Sequence, residues 1–130
     1  MNSRTPIATN AAPAAIGAYS QAIRAGDLVF TAGQVGADPA SGELVEGVAA
    51  QADRALRNLS AILDAAGTSL ERVVKTTIFL VDMGDWATVN EAYAAHFSPP
   101  FPARSTVGIK ALPKGALVEI EAVAMAGERG

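Results

Sequence analysis

The residues best suited to chemistry lie between Phe101 and Glu121. Arg104 sits in the run Phe101-Pro102-Ala103-Arg104-Ser105-Thr106, and Glu119 lies between Val118 and Ile120. A guanidinium grips a carboxylate through two parallel hydrogen bonds, so Arg104 suits a small carboxylate substrate. A carboxylate among apolar neighbours can order and deprotonate a water, which is the task Glu119 could take. Both residues also have a plainer reading: Arg104 in an internal salt bridge, for instance to Glu119 or Glu121, and Glu119 as a carboxylate paired to an Arg or Lys. Two extended runs flank the turn Leu112-Pro113-Lys114-Gly115, the pattern of an antiparallel pair of neighbouring strands. Side chains alternate along a strand, so Arg104, Thr106, Gly108 and Lys110 share one face of the first, and Glu119, Glu121, Val123 and Met125 one face of the second. The expectation is an arginine and a carboxylate presented side by side.

Other polar residues add less. Asn90 falls on or beside the apolar stripe of a predicted helix, where an amide either bonds nearby backbone or points into a pocket; the backbone role is the favoured one. Tyr19 offers a hydroxyl from a predicted half-buried strand. His96, near a helix C-terminus, reads as a solvated residue that suits the helix dipole. Thr31-Ala32-Gly33-Gln34-Val35-Gly36 lacks the GK[ST] ending of a phosphate loop, and it follows a strand without opening a helix. Gly33 and Gly36 mark places where backbone can approach something closely.

The elements that must position these residues follow from periodicity. A short edge strand is expected near Thr5–Thr9. The runs Tyr19–Arg24 and Leu28–Gln34, joined through Gly26-Asp27, form a hairpin. From Val48 to Ala66 apolar residues recur at helical spacing, and Gly67 stands at the C′ position. Ser69–Arg72 reads as a short capped turn. Val74–Val81 is β-branched and apolar, hence a central strand. Asp82 or Asp85 can cap a second helix running to about Phe97, with Trp86, Val89, Tyr93 and Phe97 on one stripe. Ser98-Pro99-Pro100 ends it. The last residues of the chain are expected to fray.

The result is an α+β layered fold in a single domain spanning 1–130. Both faces of its central strands are apolar, and two helices can cover only one side. The other side would expose a large apolar patch, so a homo-oligomer that buries it is expected.

Composition bounds the function. Of 130 residues half are apolar and 18% charged, which excludes a disordered chain. The net charge is −3 without Lys/Arg runs, so nucleic-acid binding by phosphate neutralisation is disfavoured. No cysteine and a single histidine leave no thiolate nucleophile, disulfide or His-rich metal site. No leader peptide and no bilayer-spanning run are read, so a soluble cytoplasmic protein is expected.

Taken together, these segments resemble the RidA family, also called the YjgF or endoribonuclease L-PSP family. The segments are Asn10–Gln21, Thr31-Ala32-Gly33-Gln34, Val74–Leu80, Trp86–Tyr93, Phe101-Pro102-Ala103-Arg104-Ser105 and Val118–Ala122. The resemblance implies a chorismate-mutase-like fold with two helices on one face of a mixed sheet, and a homotrimer with clefts between subunits. It implies hydrolysis of reactive enamines and imines such as 2-aminoacrylate, giving a 2-keto acid and ammonia. It also implies that Arg104 binds the substrate carboxylate, that Glu119 positions the water, and that Tyr19, Ala32, Gly33, Asn90 and Thr106 stand at pocket positions. No cofactor or metal is expected, because an imine carbon is already electrophilic.

Departures from the family pattern are Ala32, where serine is usual, Thr106, where cysteine is frequent, and Ala18 in place of a common proline. Two other readings stay beside the deaminase: a non-catalytic module that holds a 2-keto acid or short carboxylate, and a ribonuclease, which the acidic balance disfavours.

Overall fold

The computed structural model describes residues 3–127; the chain end expected to fray lies outside that range at 128–130. Seven strands form one mixed sheet: β1 (Arg4–Ile7), β2 (Ala22–Ala25), β3 (Leu28–Thr31), β4 (Gln34–Val35), β5 (Val73–Leu80), β6 (Ala103–Gly108) and β7 (Val118–Met125). Two helices, α1 (Val48–Ala65) and α2 (Trp86–Ala94), pack together on one face. The strand order is β1-β2-β3-β7-β5-β6, with β4 pairing to β7 beside β3. Among the described residues no helix is long and apolar enough to cross a membrane.

α1 forms where the apolar period predicts it. It buries Ala52, Ala55, Leu56, Leu59, Ile62 and Leu63. Gly67, at φ 80°, stops it: its N–H donates to the Asp64 carbonyl (2.9 Å) and the Thr68 N–H to the Leu63 carbonyl (2.9 Å). An L residue with a side chain would be strained in that left-handed position. Two buried polar side chains on α1 then fasten loops. Gln51 accepts from the Leu117 N–H (2.9 Å) and donates to the Val45 carbonyl (3.1 Å). Asn58 donates to the carbonyls of Ala37 (3.0 Å) and Val35 (3.3 Å).

The anticipated close approach at Gly36 is real. A Cβ there would lie 2.5 Å from the Gln51 carbonyl oxygen and 2.8 Å from its carbon, both helix backbone that cannot move aside. Gly36→Ala is therefore expected to destabilise by about 1–3 kcal/mol, seen calorimetrically as a melting temperature about 5–10 °C lower.

The expected pairing of the last two strands is corrected. β6 and β7 are not neighbours; β5 lies between them. β6 runs parallel to β5, with Thr76 opposite Arg104 and Ile78 opposite Thr106. β7 runs antiparallel to the other edge of β5, with Thr76 opposite Ala122 and Phe79 opposite Glu119. The physical reason lies in the connections. A strand followed by a helix and a second strand makes a parallel crossover, since parallel neighbours need a long connection. Thus β5–α2–β6 is one unit, and residues 109–117 then carry the chain across the end of β5. Ile109 N–H donates to the Leu80 carbonyl (2.8 Å), and Val81 N–H to the Leu117 carbonyl (3.2 Å), on either side of that end.

Other boundaries shift. The edge strand is Arg4–Ile7, the first hairpin strand is only Ala22–Ala25, and the run expected as Leu28–Gln34 divides into β3 and β4. α2 stops at Ala94, short of Phe97, and a 3-10 turn (Met83–Asp85) precedes it. Asp82 caps that turn by accepting from the Gly84 N–H (2.8 Å).

The sheet has two unlike faces. Val29, Ile78, Leu80, Val118, Ile120, Ala122 and Ala124 point to the helices and are buried. The opposite face carries Phe30, Val107 and Met125, each at least 40% exposed, with Phe79 and Val123 half-buried among them. No element of the described chain covers it.

Candidate functional site

Arg104 stands on the helix side of the sheet, because its partner on β5 is the buried Thr76. α2 forms its seat. The guanidinium carbon lies 4.6 Å from the Trp86 ring centroid and 4.8 Å from that of Tyr93. Two aromatic faces attract a cation by their ring quadrupoles. Arg104 Nη1 donates to Asn90 Oδ1 (2.9 Å). Asn90 thus meets a side chain rather than the backbone partner expected for it. Tyr93 is held in turn by a 2.8 Å hydrogen bond between its hydroxyl and that of Thr76, and burial pushes its phenol up, partly offset by that bond and by Arg104.

The internal ion pair weighed for Arg104 is absent: among the described residues the salt bridges are Arg57–Asp53 and His96–Asp53. Of the five N–H donors of this half-buried guanidinium, one meets an acceptor within the described residues, and the others stay open to solvent or a ligand. It borders a cavity of about 330 Å³ lined by Asn90, Tyr93, Ala94, Phe101, Pro102 and Arg104. Thr106 follows on the same face, its hydroxyl oxygen buried without a hydrogen-bond partner.

Glu119 is elsewhere. It alternates with the buried Val118 and Ile120, so its side chain projects from the open face of the sheet. Arg104 and Glu119 of one chain therefore lie on opposite faces and do not meet, which corrects the side-by-side expectation. Gly33, in the short link between β3 and β4, makes room for Glu119: a Cβ at Gly33 would stand 2.7 Å from Glu119 Cδ and 2.9 Å from Cγ. Ala32 contributes a backbone N–H to the Gln21 carbonyl (2.9 Å) and no polar side chain.

Beside Glu119 opens a second cavity of about 570 Å³, bordered among others by Tyr19, Ile16, Gly33, Lys114 and Pro13. Tyr19 is not on a strand as expected. It sits 53% exposed in the loop before β2, its hydroxyl accepting from the Ile16 N–H (3.4 Å).

That loop is held by Gln21, a residue the sequence reading did not single out. Its amide oxygen accepts from the Thr9 N–H (2.7 Å). Its amide nitrogen donates to the carbonyls of Pro13 (2.7 Å), Thr9 (3.1 Å) and Ala12 (3.4 Å). A glutamine entering a buried strand after a Pro/Gly-rich loop was the available signal, since a buried amide must find partners.

Burial, and secondarily the charge of Glu121, push the Glu119 carboxyl above its ordinary value of 4.5. A carboxyl raised in the folded state takes up a proton on folding, so its stabilising contribution is present below the ordinary value and lost as pH rises through the elevated one. Glu119→Gln is accordingly expected to melt at a higher temperature than the wild type at pH 7, with the gap closing near pH 4. A thermal series across that range measures it.

The arrangement thus sets two groups apart: a guanidinium beside a cavity under α2, and a carboxyl of raised pKa beside an apolar cavity on the open face. The chain matches the family model described as Endoribonuclease L-PSP over residues 9–126. It is 56% identical over 119 residues to the RutC family protein y4sK of Sinorhizobium fredii, covering 91% of this chain and 94% of that one. It is 51% identical over 125 residues to the 2-iminobutanoate/2-iminopropanoate deaminase of Rattus norvegicus, covering 95% and 91%. The crystal structure of RidA from an Antarctic Psychrobacter bacterium superposes with a TM-score of 0.91 at 48% identity, over 93% of this chain and 98% of that one. Sequence match and fold agree: this chain belongs to the endoribonuclease L-PSP family, the RidA or YjgF family.

Proposed function

We propose that the protein hydrolyses reactive imines and enamines of the 2-aminoacrylate type to a 2-keto acid and ammonia, and that it does so as a homotrimer. The observation that carries this reading is the guanidinium of Arg104, seated by α2, without an ion pair among the described residues and open to a cavity. Curated relatives at about half identity are named 2-iminobutanoate/2-iminopropanoate deaminase, which supports the same chemistry.

The two half-sites become one when the open sheet face of one subunit packs against another, bringing the Arg104 cavity of one chain over the Glu119 cavity of the next. The exposed apolar residues of that face supply the reason to associate. Arg104 then holds the substrate carboxylate by its two-pronged donor face, and Asn90 holds the guanidinium against the Trp86 and Tyr93 rings. Glu119 removes a proton from a water, whose oxygen adds to the imine carbon. That proton passes to nitrogen, giving a carbinolamine; its hydroxyl proton then moves to the same nitrogen, the C–N bond breaks, and ammonia leaves as the carbonyl forms. A carboxyl raised above its ordinary value by burial suits this exchange, because it is a stronger base than a solvated one. Tyr19, Thr106 and the backbone at Ala32 and Gly33 complete the substrate contacts. Ala32 brings no hydroxyl, so the fit to small polar imines rests on the other groups. The setting we infer is cytoplasmic, beside pyridoxal-phosphate enzymes that release such intermediates.

The test is direct. Added to a serine or threonine dehydratase reaction, the protein is expected to speed release of free ammonia. Binding heat with a 2-keto acid but no faster ammonia release would leave only a carboxylate-binding module. Sedimentation as a monomer at micromolar concentration would remove the composite site.

A further inference from the structure

The C-terminal end of α2 is tied down by a contact that the proposed chemistry does not use. His96 lies two residues beyond the helix, and its backbone N–H donates to the Tyr93 carbonyl (3.0 Å). Its ring Nε2 lies 2.7 Å from Asp53 Oδ1 on α1, while Asp53 Oδ2 accepts from Arg57 Nε (2.8 Å). The imidazole is 16% exposed, so the residue expected to be solvated is packed instead. Next to it, Phe97 packs on the Tyr93 ring with centroids 4.6 Å apart. His96 therefore fixes the turn that carries Tyr93, and Tyr93 with Trp86 and Asn90 is the seat of Arg104.

We propose that His96, acting through Asp53, is a positioning residue for the Arg104 seat, and that protonation of its imidazole tightens that seat. The proposal rests on the reading of Arg104 as the carboxylate anchor. A neutral imidazole donates one hydrogen bond to the Asp53 carboxylate; an imidazolium adds charge attraction to the same bond. The charged groups around His96 are few. α1 presents Asp53 and, behind it, Arg57. The turn at Leu70–Arg72 presents Glu71 across a cavity of about 350 Å³ that Glu71 and His96 both line. The 98–102 segment on the same cavity brings no charge, and Glu91 of α2 is exposed.

The chain has one histidine and one tryptophan, so the test reads cleanly. Histidine changes charge between about pH 5 and 8. The His96 ring resonances and Trp86 fluorescence are followed through that range, without substrate, in wild type, His96→Gln, His96→Ala and Asp53→Asn. In wild type the Trp86 emission is expected to follow the His96 titration. In His96→Gln, which keeps a donor and loses the charge, the emission is expected to stay flat; Asp53→Asn is expected to be flat as well. In the ammonia assay at pH 6, His96→Ala is expected to raise KM about fivefold with kcat unchanged, as loss of uniform substrate binding does. His96→Gln is expected to recover part of that loss.

A Trp86 transition that persists in His96→Gln, an emission indifferent to the His96 titration, or an unaltered KM in His96→Ala would each overturn the proposal. Absence of any deaminase activity would remove the reading of Arg104 as a substrate anchor instead; the substrate-free fluorescence separates the two failures.

Discussion

Arg104→Ala is expected to abolish most of the accelerated ammonia release while the fold survives. Among the described residues the wild-type guanidinium makes one hydrogen bond, to Asn90, and no ion pair. Its remaining donors are free for a substrate carboxylate. Two charge-assisted hydrogen bonds contribute about 3–4 kcal/mol together, so their loss corresponds to about 10²–10³ in kcat/KM. Arg104→Lys restores the charge without the planar two-pronged donor or the stacking between Trp86 and Tyr93, and is expected to recover little. Melting temperature is expected to move little in either variant, because no internal charge partner is orphaned. Steady-state kinetics on a dehydratase-generated imine, beside a melting curve, checks both halves. Full activity in Arg104→Ala would end the assignment of the carboxylate to this residue.

The second large effect concerns mixing. Arg104→Ala and Glu119→Gln are each expected to be inactive alone. If every site takes Arg104 from one subunit and Glu119 from another, subunits exchanged at random from an equal mixture rebuild about a quarter of the intact sites. A site contained within one chain would rebuild none, since no chain of the mixture carries both groups. The opposite-face placement of the two residues predicts recovery. Unfolding and refolding the two variants together, then measuring ammonia release against separately refolded controls, gives the answer. A mixture as inert as its components would refute the shared site.

What could be read from residue order alone divides along physical lines. α1 was legible because Leu56, Leu59, Ile62 and Leu63 repeat at the helical period and Gly67 supplies a left-handed stop. β5 was legible from its β-branched, doubly apolar run. Gly33 and Gly36 were legible as places of close approach, but their neighbours, the Glu119 side chain and the Gln51 backbone, were not. A glycine shows that room is needed without showing for what.

The pairing of β6 with β5 was hidden because the Pro/Gly turn at 112–115 looks local while the crossover through α2 decides the order. That single change of neighbour moved Arg104 and Glu119 to opposite faces. Alternation gave the parity within each strand correctly; only the strand order sets which faces coincide. The His96–Asp53 contact spans 43 residues. No periodicity links a residue after one helix to an aspartate in the first turns of another, so the order of residues carries no sign of the contact.

The amide of Gln21 has a consequence for binding. Thr9, Ala12 and Pro13 are bonded to a side chain whose own backbone enters β2. The wall carrying Tyr19 is therefore set when the hairpin forms, before any ligand arrives. Ordering a loop on binding subtracts from affinity. Here that entropy is lost once, during folding, and an incoming molecule meets a finished surface. Encounter beside Glu119 should then be quick and should leave the loop's amide-exchange rates unaltered.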